Sequence, residues 1–379
     1  MTPEPHRAVI TAHGCLPGFT PSETPAAQQN WGSNLAVHSP FSGRKASPVP
    51  GAGVLLLLVT LLVLGGCAGV GGPRLAVADI ALSGSPGNLA VSADGKRLFV
   101  ANGARSGIGS IVVVDLDEDV NSIVAEIPLD APVTGMTVDR NGDVSATVDL
   151  SGYGGSGALL TVDATTFKVD TTPISSGPRD VSVGSAGQLY IAHNSVVSVV
   201  RPSRRSATID VNAAPLSLIR VFVNAAGTTA CAIAAGDTSG AFLLIDTDTR
   251  TIVRRVSTEE FPDAGAFSPD GRVLYIAEES RLSVFDASSG EYLRQIPLSE
   301  NPIDFALAPD GRTAYLANQL AGSVSIVDLE AGELVNEVGV GKSPVAIALS
   351  PDGRRLYVSN SGSATVSVVA LDGPGTSQN

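Results

Sequence analysis

Ser350-Pro-Asp-Gly-Arg-Arg-Leu-Tyr-Val-Ser-Asn360 decides the fold. A proline presets φ near −65°, the aspartate tolerates the bridge region, and the glycine takes the positive φ that closes a short hairpin. The strand that follows, Leu356-Tyr-Val, has the aromatic and β-branched residues of a pleated, half-buried surface. The proline-led run before it, Pro344-Val-Ala-Ile-Ala-Leu349, alternates like a second strand.

The pattern recurs. Ala308-Pro-Asp-Gly-Arg-Thr-Ala-Tyr-Leu-Ala-Asn318, Ser268-Pro-Asp-Gly-Arg-Val-Leu-Tyr-Ile-Ala-Glu278 and Ser92-Ala-Asp-Gly-Lys-Arg-Leu-Phe-Val-Ala-Asn102 are close copies, and weaker ones centre on Gly142, Gly187 and Gly227. The turn glycines 95, 142, 187, 227, 271, 311 and 353 lie 40 to 47 residues apart. That period suits a four-stranded propeller blade. Each unit reads as an alternating strand, the turn, an aromatic strand, a loop, a Val-rich strand such as Val324-Ser-Ile-Val327, and a fourth such as Leu334-Val-Asn-Glu-Val338. The fold class expected is all-β, a seven-bladed β-propeller of four-stranded blades.

The unit resembles the YVTN-type β-propeller repeat, matched best by Leu356-Tyr-Val-Ser-Asn360 and Ala314-Tyr-Leu-Ala-Asn318. The resemblance covers about residues 75–372, strongly in blades 1, 5, 6 and 7 and weakly in blades 2, 3 and 4. It is specific for fold and poor for function. The repeat region begins with an outer-type strand, Leu75 to Leu82, and ends after a third strand, Thr365 to Leu371. Pairing these two closes the ring and removes two exposed sheet edges.

Composition agrees with many short strands. Gly, Ala, Ser and Val dominate, and aromatics make up 4%. The net charge is −13, and the first 66 residues hold three basic groups (Arg7, Arg44, Lys45) and two acidic ones (Glu4, Glu23), so the excess negative charge lies beyond them. Such a surface repels phosphate backbones and excludes nucleic acid as an expected partner. Arg201, Arg204 and Arg205 read as a solvated turn. The cysteines at 15, 67 and 231 give no disulfide framework; Cys231, in Thr-Ala-Cys-Ala-Ile-Ala, alternates like a small buried hydrophobe.

Arg44-Lys45 precedes the apolar run Val54 to Leu64, which is too short to span a bilayer and suits the hydrophobic region of a signal peptide. Leu64-Gly65-Gly66-Cys67 then looks like a bacterial lipobox. The resemblance implies cleavage before Cys67, lipid modification of its thiol, and an exported protein anchored to the cell membrane or outer membrane, facing the periplasm or exterior. The reading divides the chain into a disordered or mis-assigned extension (1–43), a signal peptide (44–66), a tether (67–74), the propeller (75–372) and a tail (373–379). A start near Val37 would give a leader of ordinary length.

Chemical signatures are sparse. His193, the one histidine after Cys67, falls where other repeats have Asn102, Glu278, Asn318 and Asn360, and reads as a polar cap of a loop. Asp115, Asp163, Asp246, Asp286 and Asp328 end the third strands, each suited to bonding its own turn. No metal site, cofactor or catalytic residue is read. Glycine-rich insertions on the face bearing the channel mouth carry Arg105, Tyr153 and Asp237, while Arg179, Asp180, Asp263 and Asp304 follow the inner-strand prolines. These seven are the ligand-binding candidates, because loops on a rigid scaffold carry recognition. The first expectation is a monomeric, lipid-anchored binding or scaffold module for a protein, peptide or cell-envelope glycan. The alternative is a lactonase-like hydrolase, since propellers resembling phosphogluconolactonase or metal-dependent gluconolactonases are hydrolases.

Overall fold

All seven turn glycines adopt positive φ, between 70° and 89°. The rest of the turn is built from its own side chains. In the last copy the Ser350 hydroxyl donates to Asp352 Oδ1 (2.6 Å) and accepts from the Arg355 amide (2.9 Å), while the Gly353 amide donates to the Ser350 carbonyl (2.8 Å). Ser92 with Asp94, and Ser268 with Asp270, repeat the arrangement. A β-carbon at these glycines would be strained, which is why the turn marks the repeat so clearly.

The computed structural model describes residues 75–103, 109–116, 121–150, 152, 156–201, 206–236, 239–298 and 301–371, all within the unit Gly66–Asn379. They form seven four-stranded antiparallel sheets, a seven-bladed β-propeller. Blades 1 to 6 span residues 85–128, 133–174, 180–210, 217–258, 262–297 and 302–339, and blade 7 combines 344–370 with 77–81. The inner strands are β2 (Ser85–Val91), β6 (Val133–Val138), β10 (Asp180–Val183), β14 (Ser217–Val223), β18 (Pro262–Phe267), β22 (Pro302–Leu307) and β26 (Pro344–Leu349). Each touches the next around the ring, and β2 touches β26.

Closure follows the expected pairing with shorter strands. β1 (Val77–Ala81) runs antiparallel to β28 (Thr365–Ala370), with Asp79 opposite Ser367. Bonds from Leu82 N to Ala364 O and from Ala370 N to Ala76 O extend the ladder at both ends (2.9 Å each), and the Ser367 hydroxyl donates to Asp79 Oδ1 at 2.6 Å.

Among the described residues, one apolar cluster fills each of the seven interfaces between blades. Burial of this kind contributes about 25 cal/mol per Å² of apolar surface and is the main favourable term. The second strands present successive side chains to opposite neighbours. Phe99, Tyr190, Tyr275, Tyr315 and Tyr357 each pack toward the following blade. The third-strand aspartates mostly cap their own turns: Asp163, Asp246, Asp286 and Asp328 accept amide bonds from the residues just after them. Asp115 pairs with Arg97 at 3.3 Å.

Removing residues 77–81 from the full chain leaves β28 as an unpaired edge. With about 1 kcal/mol for each ladder hydrogen bond, the loss is about 4 kcal/mol or more. The urea midpoint should fall and light scattering should rise. A deletion protein that unfolds at the parent midpoint would show that β1 does not close the ring.

Candidate functional site

The residue seven places before each turn glycine occupies the same point on every inner strand: Asn88, Gly135, Asp180, Arg220, Ala264, Asp304 and Ala346. Three of these are charged, and they meet. Arg220 reaches from β14 across two blades: its Nε donates to the Asp263 carbonyl (3.3 Å), its Nη2 donates to the Ile303 carbonyl (3.2 Å), and Nη2 lies 3.4 Å from Asp304 Oδ1. Ala264 holds the same position in the intervening blade and carries only a methyl group there.

The two aspartates extend the linkage. Asp180 Oδ2 accepts the Val221 amide (3.0 Å), and Asp304 Oδ2 accepts the Ile347 amide (2.9 Å). Blade 3 is thereby tied to 4, blade 4 to 5 and 6, and blade 6 to 7. Between blades 7 and 1 the Ser359 hydroxyl donates to the Gly87 carbonyl at 2.6 Å. At blade 2 the position is Gly135, where a β-carbon would lie 2.6 Å from the Asp180 Cα, so the backbones themselves come into contact.

The cluster is only partly screened from water; the Arg220 and Asp304 side chains are 28% and 15% exposed. It places three carboxyl groups around one guanidinium. Burial pushes Asp180 up to about 6, with Arg220 opposing. Burial likewise pushes Asp263 up to about 6, Arg220 opposing and Glu279 adding to the rise. Asp304 is raised by burial against the pull of Arg220. Such a set can take a cationic group or hold a proton near pH 6.

The sequence candidates divide. Asp180, Asp263 and Asp304 are brought together around Arg220. Arg179 is exposed and donates from Nε to Asn194 Oδ1 at 3.2 Å, apart from that cluster's bonds. Arg105, Tyr153, Asp237 and Cys67 lie outside the described residues. Arg220 itself was absent from the candidates, although its place seven residues before Gly227, matching Asp180 and Asp304, is visible in the sequence.

Other reactive side chains are turned elsewhere. His193 is 2% exposed, its Nδ1 lies 3.3 Å from the Ser176 carbonyl, and burial lowers its pKa. Cys231 is fully buried in the core between blades 4 and 5, which raises its thiol well above the ordinary value. Among the described residues no three His, Cys, Asp or Glu side chains are grouped so as to hold a metal ion.

Comparison with known proteins adds fold and a partial family likeness. The family described as "Lactonase, 7-bladed beta-propeller" matches residues 248–377, reaching from the end of blade 4 through blade 7. No curated protein matches the chain. Among solved structures, Kuenenia stuttgartiensis hydrazine synthase is similar with a TM-score of 0.67 at 19% identity, over 76% of this chain and 96% of that one. It is one of 1534 matching chains, so the likeness identifies the architecture and not a chemistry.

Truncating Arg220 to Met should cost about 3 kcal/mol, because it strands carboxylates and carbonyls that the guanidinium satisfies. The pH dependence contributed by the raised carboxyls has a definite sign. Asp180 and Asp263 have folded values near 6, above the ordinary 3.8, so the folded state holds more protons between those values and stability falls as pH rises through that window. His193, whose pKa burial lowers, pulls the other way in the same range, so the diagnostic is the difference: any fall in the urea midpoint from pH 5 to pH 7 should be smaller in Asp180→Asn than in the parent. A slope unchanged by Asp180→Asn would contradict the raised carboxyl.

Proposed function

We propose that this chain is an exported, lipid-anchored propeller that acts as a binding or scaffold module, presenting its channel-mouth face to a protein, peptide or cell-envelope ligand. The observation that carries the reading is the use made of the channel charges. Asp180, Asp304 and Arg220 spend their hydrogen bonds on backbone groups of neighbouring blades, which suits a rigid scaffold more than a set of groups free to shuttle protons. Anchoring rests on Arg44-Lys45, the apolar run and Leu64-Gly65-Gly66-Cys67 standing in the order of a lipoprotein leader. The repeat is of YVTN type on this reading.

One observation favours a second reading, a lactonase-like hydrolase. The family likeness spans residues 248–377, and this stretch holds Asp263, whose carboxyl burial pushes up to about 6 and whose backbone carbonyl accepts from Arg220. A carboxylate poised there could activate water while the guanidinium steadies a developing oxyanion.

Two measurements decide between them. Metabolic labelling with radioactive palmitate should mark the membrane-associated protein, and Cys67→Ser should lose both label and membrane fractionation; a labelled serine variant would defeat the anchor. Glucono-δ-lactone, with and without calcium or manganese, should be hydrolysed no faster than the uncatalysed background. Turnover that falls at least 100-fold in Asp263→Asn would establish the hydrolase in place of the binding module.

A further inference from the structure

One interface departs from the other six. Between blades 2 and 3 the buried apolar cluster is reduced to Leu159, Val181, Leu189 and Ile191. A cavity of about 1160 Å³ opens along it. The cause is legible in register. At the position held by Phe99, Tyr190, Tyr275, Tyr315 and Tyr357, blade 2 has Ser145. Blade 4 also lacks the aromatic there, with Cys231, but its cross-strand partner Phe222 supplies a ring 5.5 Å from Phe267. The partner of Ser145 is Thr137, so nothing is restored. On the third strand, Thr161 opposite Ser145 replaces the Val113, Val199, Leu244, Val284, Ile326 and Val368 of the other blades.

The facing wall carries a second departure. Ser325 and Ser367 in blades 6 and 7 accept from Asn318 and Asn360. Their counterpart in blade 3 is Ser198, and the residue at the asparagine position is His193, whose Nδ1 faces the Ser176 carbonyl instead. Ser145 and Ser198 are 7% and 6% exposed, line the cavity, and have no hydrogen-bond partner among the described residues. Both hydroxyls open onto the cavity from opposite walls, so they are free to bond a group that enters it.

We infer that this groove binds a short extended peptide segment carrying a bulky apolar residue, independently of any role of the channel mouth. The dimensions fit. Four strands spaced about 4.8 Å apart give a groove about 14 Å long, which takes about four extended residues at about 3.3 Å each. The chemistry fits as well. Ser145, Thr161, Ser198 and Thr208 offer donors and acceptors to backbone amides and carbonyls, while Leu159 and Leu189 form an apolar seat for a side chain where the repeat would place its own aromatic. Asp139 and Asp170 are balanced by Arg140 and Arg201, so no strongly charged ligand is favoured. A sugar would find no aromatic ring to stack on among the lining residues.

The test pans phage-displayed random dodecapeptides on the purified full-length chain and measures the recovered peptides by fluorescence anisotropy. The expected consensus contains a large aliphatic or aromatic residue, and Ser145→Tyr, which refills the groove, should weaken binding at least tenfold. The pair Thr161→Val with Ser198→Ala, which adds almost no volume, should weaken it severalfold and decides the matter if Ser145→Tyr fails to fold. Leu320→Ser, on another blade, should leave the affinity unchanged. No enrichment of peptides, equal affinity in the groove variants, or Ser145-dependent binding of chitotetraose in place of peptides would each overturn the proposal.

Discussion

The pairing of β1 with β28 is the constraint on which everything else rests. Seven sheets placed side by side bury their faces against each other, but an open arc would leave two blade faces bare and one blade short of a strand. Supplying the missing strand from the start of the propeller joins residues nearly 290 positions apart, as Ser367 to Asp79 illustrates. The entropic cost of so long a loop grows only logarithmically with its length. The gain is an apolar cluster at every interface, including the one between blades 7 and 1 that closure creates.

A closed ring also explains how its centre can be charged. Arg220, Asp180 and Asp304 would be costly if buried without partners. Because the inner strands of adjacent blades are held in contact, backbone amides and carbonyls stand ready at bonding distance. The charges then link blades 3 through 7, and burial in the ring raises the proton affinity of Asp180 and Asp263 against the pull of Arg220. The same rigidity lets one interface be thinned. Blade 2 gives up its aromatic at Ser145 and finds no substitute, whereas blade 4, with Cys231 at that position, regains a ring from Phe222.

Much of the fold was legible in the sequence because the Ser-Pro-Asp-Gly turn demands its residue types locally: Gly353 needs positive φ, and Ser350 and Asp352 bond one another two residues apart. The strand count and the closing pair followed from that period. The site was less legible. Asp180, Asp263 and Asp304 stand out as carboxylates after inner-strand prolines, but Arg220 lies in a weak copy whose strand, Leu218-Ile-Arg-Val-Phe, carries no comparable signal. Its role depends on reaching two blades away, a distance fixed by ring geometry. The groove between blades 2 and 3 was hidden for a related reason: an absent tyrosine signifies only when the register shows which neighbour it would have filled.

Hydrogen exchange at the closing strands tests the central claim most directly. If β1 completes blade 7, the amides of Leu82 and Ala370, bonded to Ala364 and Ala76, should exchange only through global unfolding, as slowly as amides in the middle strands of blades 5 and 6. Exchange at those two amides several orders of magnitude faster than in the middle strands would mean that the ring is not closed by its own first strand.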